Sequence, residues 1–191
     1  MVLKIITSTT REGRTGTAIA KWVTEYVTAH TPCDVELLDL VERNLPFMNE
    51  PMHPRLQQYQ YEHTKLWSKT IAPADAFIIV LGEYNYGFPA PIKNALDTLF
   101  NEWKYKPVAF VSYGGLSGGL RATQMIKQVV TTLGMMPVPE QVTIPFHSKL
   151  INEQGEFQPD ERIIKSTDLM LLELQKWTST LKTMREADRV N

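Results

Sequence analysis

A run of six consecutive apolar residues, 76–81, constrains the fold more than any other part of the chain. Neighbouring residues of a strand face opposite sides of a sheet, so a strand that is apolar at every position is buried on both faces. Such strands are typical of a parallel sheet that is covered by helices. A loop, residues 82–89, follows the run, and the apolar spacing from Ile92 to Leu99 then predicts a helix.

Strands and helices alternate along the rest of the chain. The predicted strands are residues 2–6, 35–40, 76–81, 107–112 and 136–144. Five helices are predicted. The first has an inward stripe at Ala18, Trp22, Val23, Tyr26 and Val27, and the third begins near Ile92. The others cover about 56–71, 120–133 with Gly134 as its C-cap, and about 159–185. This alternation predicts an α/β, flavodoxin-like doubly wound sheet of five parallel strands, order 2-1-3-4-5, in three α/β/α layers.

The composition favours one domain that acts on small molecules. At 191 residues the chain is expected to form a single domain, 1–191, that buries roughly 70% of its unfolded surface. The 20 Lys and Arg residues against 21 Asp and Glu give a formal charge of -1, so we expect no nucleic-acid partner. The expected partners are small molecules or copies of the same chain.

Cysteine content and the amino terminus bear on the compartment. Cys33 is the single cysteine, so no intramolecular disulfide can form. The amino terminus runs directly into a strand without a cleavable leader, and no apolar run approaches the roughly 20 residues that cross a bilayer. We therefore expect a cytoplasmic protein that does not enter the membrane.

Three loops carry most of the residues with chemical potential, and the predicted topology brings them together. In the order 2-1-3-4-5 the switch point lies between strands one and three, and ligands bind there at the carboxyl ends of the strands. The loops after strands one, three and four, residues 7–17, 82–89 and 112–121, are expected to meet at this edge.

The first loop favours a phosphate monoester. Hydroxyl side chains and two arginines precede a helix N-terminus, where free N–H groups and a partial charge of about +0.5 collect. The spacing of a nucleoside triphosphate loop or a dinucleotide loop is absent. The candidate binding residues are Ser8, Thr9, Arg11, Arg14, Gly16 and Thr17. An ordinary helix cap with solvated arginines is the alternative.

The second loop offers a surface for a planar ligand. Tyr84 and Tyr86 supply aromatic faces, Asn85 supplies an amide, and Gly87 is expected where the backbone bends or approaches a ligand. Glu83 either belongs to the binding site or ties the loop backbone together. Packing of the two tyrosines within the loop is the alternative.

The third loop strings backbone N–H groups along a glycine-rich turn. Its candidate binding residues are Ser112, Tyr113, Gly114 and Gly115. Such a nest of N–H groups binds the anionic edge of a ring or a carbonyl oxygen. An ordinary turn between strand and helix is the alternative.

Neither a metal site nor a hydrolytic triad is expected. The histidines, His30, His53, His63 and His147, lack metal-ligand spacing. The serines lack the G-x-S-x-G pattern that places a nucleophile on a sharp turn.

Taken together, the loops resemble those of the NAD(P)H-dependent FMN reductase family, which includes flavin, quinone, azo-dye and chromate reductases. Residues 83–97 read E-Y-N-Y-G, then Pro89, K-N-A and Asp97, similar to the family's E-Y-N-x-x-x-P-x-x-L-K-N-A-x-D. Residues 8–16 are similar to its G-S-x-R phosphate loop. The resemblance extends from the first strand to about Leu133.

The resemblance implies an enzyme that passes a hydride from NADPH or NADH to bound FMN, and then two electrons to a quinone or similar small acceptor. The flavin N5 carries the chemistry, so no catalytic side chain is expected. The implied contacts are Ser8, Arg11, Gly16 and Thr17 at the phosphate, Tyr84, Asn85, Tyr86 and Gly87 near N5 and O4, and the N–H groups of Tyr113, Gly114 and Gly115 at the N1/O2 edge. Family members commonly dimerise, which implies a homodimer or homotetramer.

Two residues depart from the family pattern, and two other functions stay open. Thr7 stands where glycine is usual and is expected to narrow the approach to the phosphate. Gly82 stands where proline is usual and is expected to loosen the strand exit.

One alternative function is that of a flavodoxin-type electron carrier, a class that tends to be strongly acidic, unlike this chain. The other is a flavin-free binding or regulatory module with the same fold.

Overall fold

The computed structural model describes residues 1–188, in which strands and helices alternate as predicted. The strands are β1 (Val2–Thr7), β2 (Asp34–Leu38), β3 (Ala76–Gly82), β4 (Pro107–Tyr113), β5 (Met136–Pro137) and β6 (Val142–Ile144). The helices are α1 (Gly16–His30), α2 (Leu40–Arg43), α3 (Glu62–Ile71), α4 (Ala90–Asp97), α5 (Leu120–Thr132) and α6 (Glu161–Asp188). Short 3-10 turns cover Pro54–Leu56, Asn101–Trp103 and His147–Leu150.

The strands form one parallel sheet in the order β2-β1-β3-β4-β5, with β6 also beside β4. This confirms the predicted flavodoxin-like order. The register places Ile5 of β1 between Leu37 of β2 and Ile78 of β3. Every residue of β3 and β4 is buried, and the uninterrupted apolar run of β3 requires this.

Side chains of β3 alternate between two hydrophobic cores, one on each face of the sheet. Phe77 and Ile79 pack in a core with residues of α3, α4 and α5. Ile78 and Val80 pack in a second core with residues of α1 and α6. A central strand therefore needs an apolar side chain at each position, which explains the sequence of residues 76–81.

Two predicted strands have different bounds in the structure. The segment predicted as 136–144 forms two short strands, and Pro139 between them has no N–H to donate to a ladder. The segment predicted as 35–40 ends at Leu38, because the Asp39 side chain accepts a hydrogen bond from Val41 N–H and begins α2 at Leu40.

The third helix is shorter than predicted. It begins at Glu62 rather than near residue 56, since Gln57 adopts a left-handed conformation (φ 52°) after the Pro54–Leu56 turn. The buried Glu50 carboxylate then accepts hydrogen bonds from the N–H groups of Gln60 and Tyr61 and holds this stretch out of the helix.

Helices α1, α4, α5 and α6 lie close to their predicted positions, whereas the short α2 was not predicted. The inward stripe of α1 is shifted, because Ile19 and Ala20 are fully buried whereas Trp22 and Tyr26 are only partly so. Helix α5 ends as predicted, with Gly134 in a left-handed conformation (φ 74°) just beyond it. In residues 1–188 we find no helix that is long and apolar enough to span a membrane.

Candidate functional site

The loops after β1, β3 and β4 meet at the carboxyl edge of the sheet. Gly82 N–H at the end of β3 donates to Ser8 Oγ (2.9 Å). Thr9 Oγ1 and Tyr113 Oη share a hydrogen bond of 3.1 Å between the first and third loops. Ser117 Oγ donates to Glu83 Oε1 (2.8 Å) between the third and second loops. The structure thus brings together the three loops that sequence reasoning singled out.

The first loop leaves many donors unused at the N-terminus of α1. Thr15 at the N-cap makes no side-chain cap bond, and the first turn carries no acidic residue. Within residues 1–188, the backbone N–H groups of residues 9–13 and 15–17 make no hydrogen bond. Free N–H groups and the positive end of a helix dipole can together bind an anion.

Arg14 is held in place by an aspartate that sequence reasoning missed. Its Nη2 donates to Asp39 Oδ2 (2.7 Å) at the end of β2, and its Nε is buried without a partner in the described residues. The signal for Asp39 was its place directly after strand two, the neighbour of strand one in the predicted order.

Thr7 supports this pair. Its hydroxyl donates to Asp39 Oδ1 (3.1 Å) and accepts from Leu40 N–H (3.1 Å), which directs it toward β2. Burial raises the pKa of Asp39, but the hydrogen bonds from Val41 N–H, Arg14 and Thr7 and the charge of Arg14 outweigh that effect and hold it below its ordinary value.

The sequence suggested a role only for the backbone N–H of Tyr113, but its side chain also belongs to the site. The ring is buried, and a Cβ on Gly16 would lie 2.2 Å from its hydroxyl oxygen. Burial raises the pKa of this hydroxyl, while its hydrogen bond with Thr9 and the charges of Arg14 and Arg11 partly offset the rise.

Gly82 makes room for this tyrosine, which corrects the expectation that it loosens the strand exit. It belongs to β3 and pairs with Tyr113 of β4. A Cβ on Gly82 would lie 3.0 Å from Thr9 Cγ2 and 3.1 Å from Tyr113 Oη. Proline at this position could not donate the N–H that reaches Ser8 Oγ.

The second loop is a tight turn whose bend differs from the predicted one. Tyr84 and Gly87 exchange two backbone hydrogen bonds of 2.9 Å, and positive φ angles fall on Asn85 (49°) and Tyr86 (72°) rather than on Gly87. Tyr84 is 45% exposed and Tyr86 is 66% exposed. The Arg121 guanidinium lies 4.1 Å from the centre of the Tyr86 ring. The turn thus presents aromatic surface to solvent.

Glu83 ties the second loop to the N-terminus of α5. Its carboxylate accepts hydrogen bonds from Ser117 Oγ, from Arg121 Nη1, and from the N–H groups of Arg121 and Ala122, at 2.8 to 3.2 Å. Burial raises the pKa of Glu83, but these bonds outweigh it and keep the pKa below its ordinary value. Two roles were open for Glu83, in ligand binding or in tying the loop together, and its hydrogen bonds in the structure tie the loop together.

In the third loop, the available N–H groups lie further along the chain than predicted. Gly114 N–H donates to Ile144 O (3.3 Å), so the expectation that it serves a ligand was wrong. Ser112 is fully buried, and its Oγ donates to Val142 O (3.4 Å). Within residues 1–188, the N–H groups of residues 115–117 make no hydrogen bond, and they form the nest of this loop.

The remaining predicted site residues lie in or beside the first loop. Ser8 is fully buried at the junction with β3, whereas Arg11 and Thr17 are exposed. In the described residues, no group of three or more His, Cys, Asp or Glu side chains is placed to hold a metal ion.

The sequence matches a known family of oxidoreductases over most of its length. Residues 1–149 match the family model for NADPH-dependent FMN reductases. The chain is 41% identical over 159 residues to an NAD(P)H-dependent FMN reductase of Schizosaccharomyces pombe, an alignment that covers 81% of this chain and 78% of that protein. It is 32% identical over 102 residues to an NAD(P)H:quinone oxidoreductase of Solanum tuberosum, covering 52% of this chain and 50% of that protein.

A solved structure has the same fold. The flavoenzyme NAD(P)H:(acceptor) oxidoreductase of Paracoccus denitrificans superposes with a TM-score of 0.73 over 95% of this chain and 97% of that one. The two sequences are 18% identical, so this likeness concerns the fold.

Proposed function

Because this chain belongs to the NADPH-dependent FMN reductase family, we propose that it binds FMN at the edge where its three loops meet. It is an oxidoreductase that uses NADH or NADPH as electron donor and a quinone or similar small molecule as acceptor. When bound, FMN supplies the redox chemistry by accepting a hydride at N5 and passing two electrons to the acceptor. The chain's own residues bind the flavin, orient it and stabilise its charge.

The first loop would hold the phosphate. Two observations carry the proposal: the N–H groups at the start of α1 and the buried Nε of Arg14 have no hydrogen-bond partner among residues 1–188. A phosphate oxygen is the chemical group that such charged and neutral donors fit. Ser8, Thr9, Arg11, Gly16 and Thr17 line the same loop and complete this proposed subsite.

The second loop would hold the ring. Tyr84 and Tyr86 present aromatic faces, and Asn85 offers an amide donor and acceptor at the tip of the turn. Glu83 fixes this turn against α5, so its geometry is set before a ligand arrives. Preorganisation of this kind lowers the entropy lost on binding.

The third loop would stabilise the negative charge that develops on the pyrimidine edge of the ring. The N–H groups of residues 115–117 are the donors for this role. Tyr113 contributes by packing against Gly16 and by its hydrogen bond to Thr9, which joins this loop to the phosphate loop.

We further propose that residues 1–191 act as one domain, and that the protein is a cytoplasmic homodimer or homotetramer. Exposed apolar side chains support self-association: Phe47 is 82% exposed, and Met48, Met52 and Leu56 are exposed nearby. The single, unpaired Cys33 suits a reducing compartment. Light scattering coupled to size exclusion tests the assembly, and a monomeric mass at micromolar concentration would contradict it.

The visible spectrum of the purified protein tests the main proposal. We expect FMN to bind with a shifted flavin absorption band, and NAD(P)H to be oxidised at steady state when a quinone is added. Flavin binding without NAD(P)H oxidation would indicate the flavodoxin-type carrier instead. A protein that gains no flavin signal on titration with FMN would contradict the enzyme and favour the flavin-free module.

A further inference from the structure

Arg14 has a fixed position in the first loop, directly after the exposed residues 10–13. Its Nη2 is bonded to Asp39 Oδ2 (2.7 Å), and Asp39 Oδ1 is bonded to both Thr7 Oγ1 (3.1 Å) and Val41 N–H (3.0 Å). Thr7 is 2% exposed and Asp39 9% exposed, so water barely competes for these bonds. Thr7 also accepts from Leu40 N–H (3.1 Å), which fixes its rotamer.

Within residues 1–188, Arg14 makes no side-chain hydrogen bond other than the one to Asp39. The Nε atom is buried and has no partner in the described residues. A buried donor on a charged group is unfavourable unless an acceptor reaches it. The positive charge of the guanidinium also offsets part of the rise in pKa that burial causes at the Tyr113 hydroxyl, which lies against Gly16 at the start of α1. One guanidinium has five N–H donors and can bind two anionic groups at once.

Arg11, three residues earlier, has no comparable support. It is exposed, and no hydrogen bond or ion pair to the described residues holds its side chain. Ordering a free arginine costs side-chain entropy on binding, and solvent screens its charge. Asp39, held by Thr7, restricts the Arg14 side chain before any ligand arrives, so Arg14 loses less entropy on binding.

We propose that Thr7 and Asp39 are positioning residues that hold Arg14 as the principal phosphate anchor, so that the site selects FMN over riboflavin. This rests on the proposed function, since it assumes that the first loop binds the flavin phosphate. Thr7, a departure from the family pattern, is on this account a support of the phosphate site.

Titration of flavin-free protein with FMN and, separately, with riboflavin tests the proposal by flavin fluorescence. We expect Arg14→Ala to weaken FMN binding by roughly 10- to 100-fold, as for loss of a hydrogen bond to a charged group, and Arg11→Ala to weaken it less. Thr7→Val should weaken FMN binding several-fold. None of the three should change riboflavin affinity. Thr167→Val removes another buried hydroxyl, far along the chain in α6, and serves as the matched control.

Asp39→Asn needs a double-mutant cycle, because the change also removes a negative charge near the phosphate. If Asp39 acts through Arg14, Asp39→Asn should not weaken FMN binding further in the Arg14→Ala background. Thr7→Val leaves the Asp39 cap of α2 in place, so the test remains decisive if Asp39→Asn fails to fold.

Three results separate the possible failures. FMN affinities of Thr7→Val and Asp39→Asn equal to those of wild type and Thr167→Val would overturn the positioning role. Equal losses for FMN and riboflavin would also overturn it, since they indicate general disruption rather than a phosphate effect. A wild-type protein that binds neither flavin would overturn the proposed function and this inference with it.

Discussion

The close contact between Gly16 and Tyr113 determines the effect of a Gly16→Ala substitution. The added Cβ would lie 2.2 Å from the Tyr113 hydroxyl oxygen and 2.9 Å from Cζ. Gly16 has no positive φ, so its backbone alone does not exclude alanine. Alanine in a helical conformation by itself stabilises a protein by about 0.4–1 kcal/mol relative to glycine.

Steric overlap between the added methyl group and the Tyr113 ring makes the substitution destabilising instead. The ring or the helix must shift by about 1 Å to restore an ordinary van der Waals contact, and overpacking of this kind costs about 1–3 kcal/mol. The Tyr113 ring has little room to move, because it packs edge-on against His147 with ring centroids 5.0 Å apart and its hydroxyl is bonded to Thr9. We therefore expect Gly16→Ala to lower the free energy of unfolding by roughly 1–2 kcal/mol.

Urea unfolding of flavin-free protein, followed by circular dichroism, measures the change. Gly115→Ala is the matched control, because its Cβ would meet nothing within 4 Å and its φ is not positive. In a Tyr113→Leu background the cost of Gly16→Ala should disappear or reverse, since the opposing ring is gone. A stabilising Gly16→Ala in the wild-type background would refute the packing described for this site.

Three further substitutions test the supports of the loops. Glu83→Gln should lower the free energy of unfolding by about 1–2 kcal/mol at neutral pH. Because the pKa of Glu83 is lowered in the folded protein, this difference should persist above the ordinary carboxyl pKa of about 4.3 and shrink as the pH falls below it. Glu25→Gln, at an exposed residue, serves as the control and should show neither effect. Asn94→Leu removes the amide that donates to Pro46 O and accepts from Met48 N–H, both at 2.8 Å, so hydrogen exchange should accelerate at residues 45–48 and not in β3. Arg185→Ala removes bonds of 2.8 Å to Asp75 and to Tyr105 O and should lower helicity at the end of α6, and unchanged exchange there would contradict this.

The fold could be predicted because its signals are local. The apolar run at residues 76–81 requires burial on both faces, and the spacing of apolar residues distinguishes helices from strands. Handedness and crossover rules then leave few topologies for five alternating units. The ends of elements were less predictable, because they depend on partners distant in sequence, such as the Glu50 carboxylate that keeps residues 60 and 61 out of α3.

The candidate site could be predicted at the level of loops but not of individual donors. Sequence pattern identified the glycine-rich third loop, yet only the structure shows that Gly114 N–H is taken by Ile144 O while residues 115–117 remain available. Likewise, two arginines in the first loop look alike in sequence. The strand order places Asp39 beside the first loop, but only the structure shows that Arg14 rather than Arg11 pairs with it.

We propose that this protein passes electrons from NAD(P)H through FMN to a small acceptor. One anaerobic experiment tests it most directly: NADPH, or NADH, is added to the FMN-loaded protein while the visible flavin band is recorded, and a quinone is then added. We expect the band to disappear on addition of the nucleotide and to return with the quinone. A band that persists with both nucleotides but disappears with dithionite would contradict the claim.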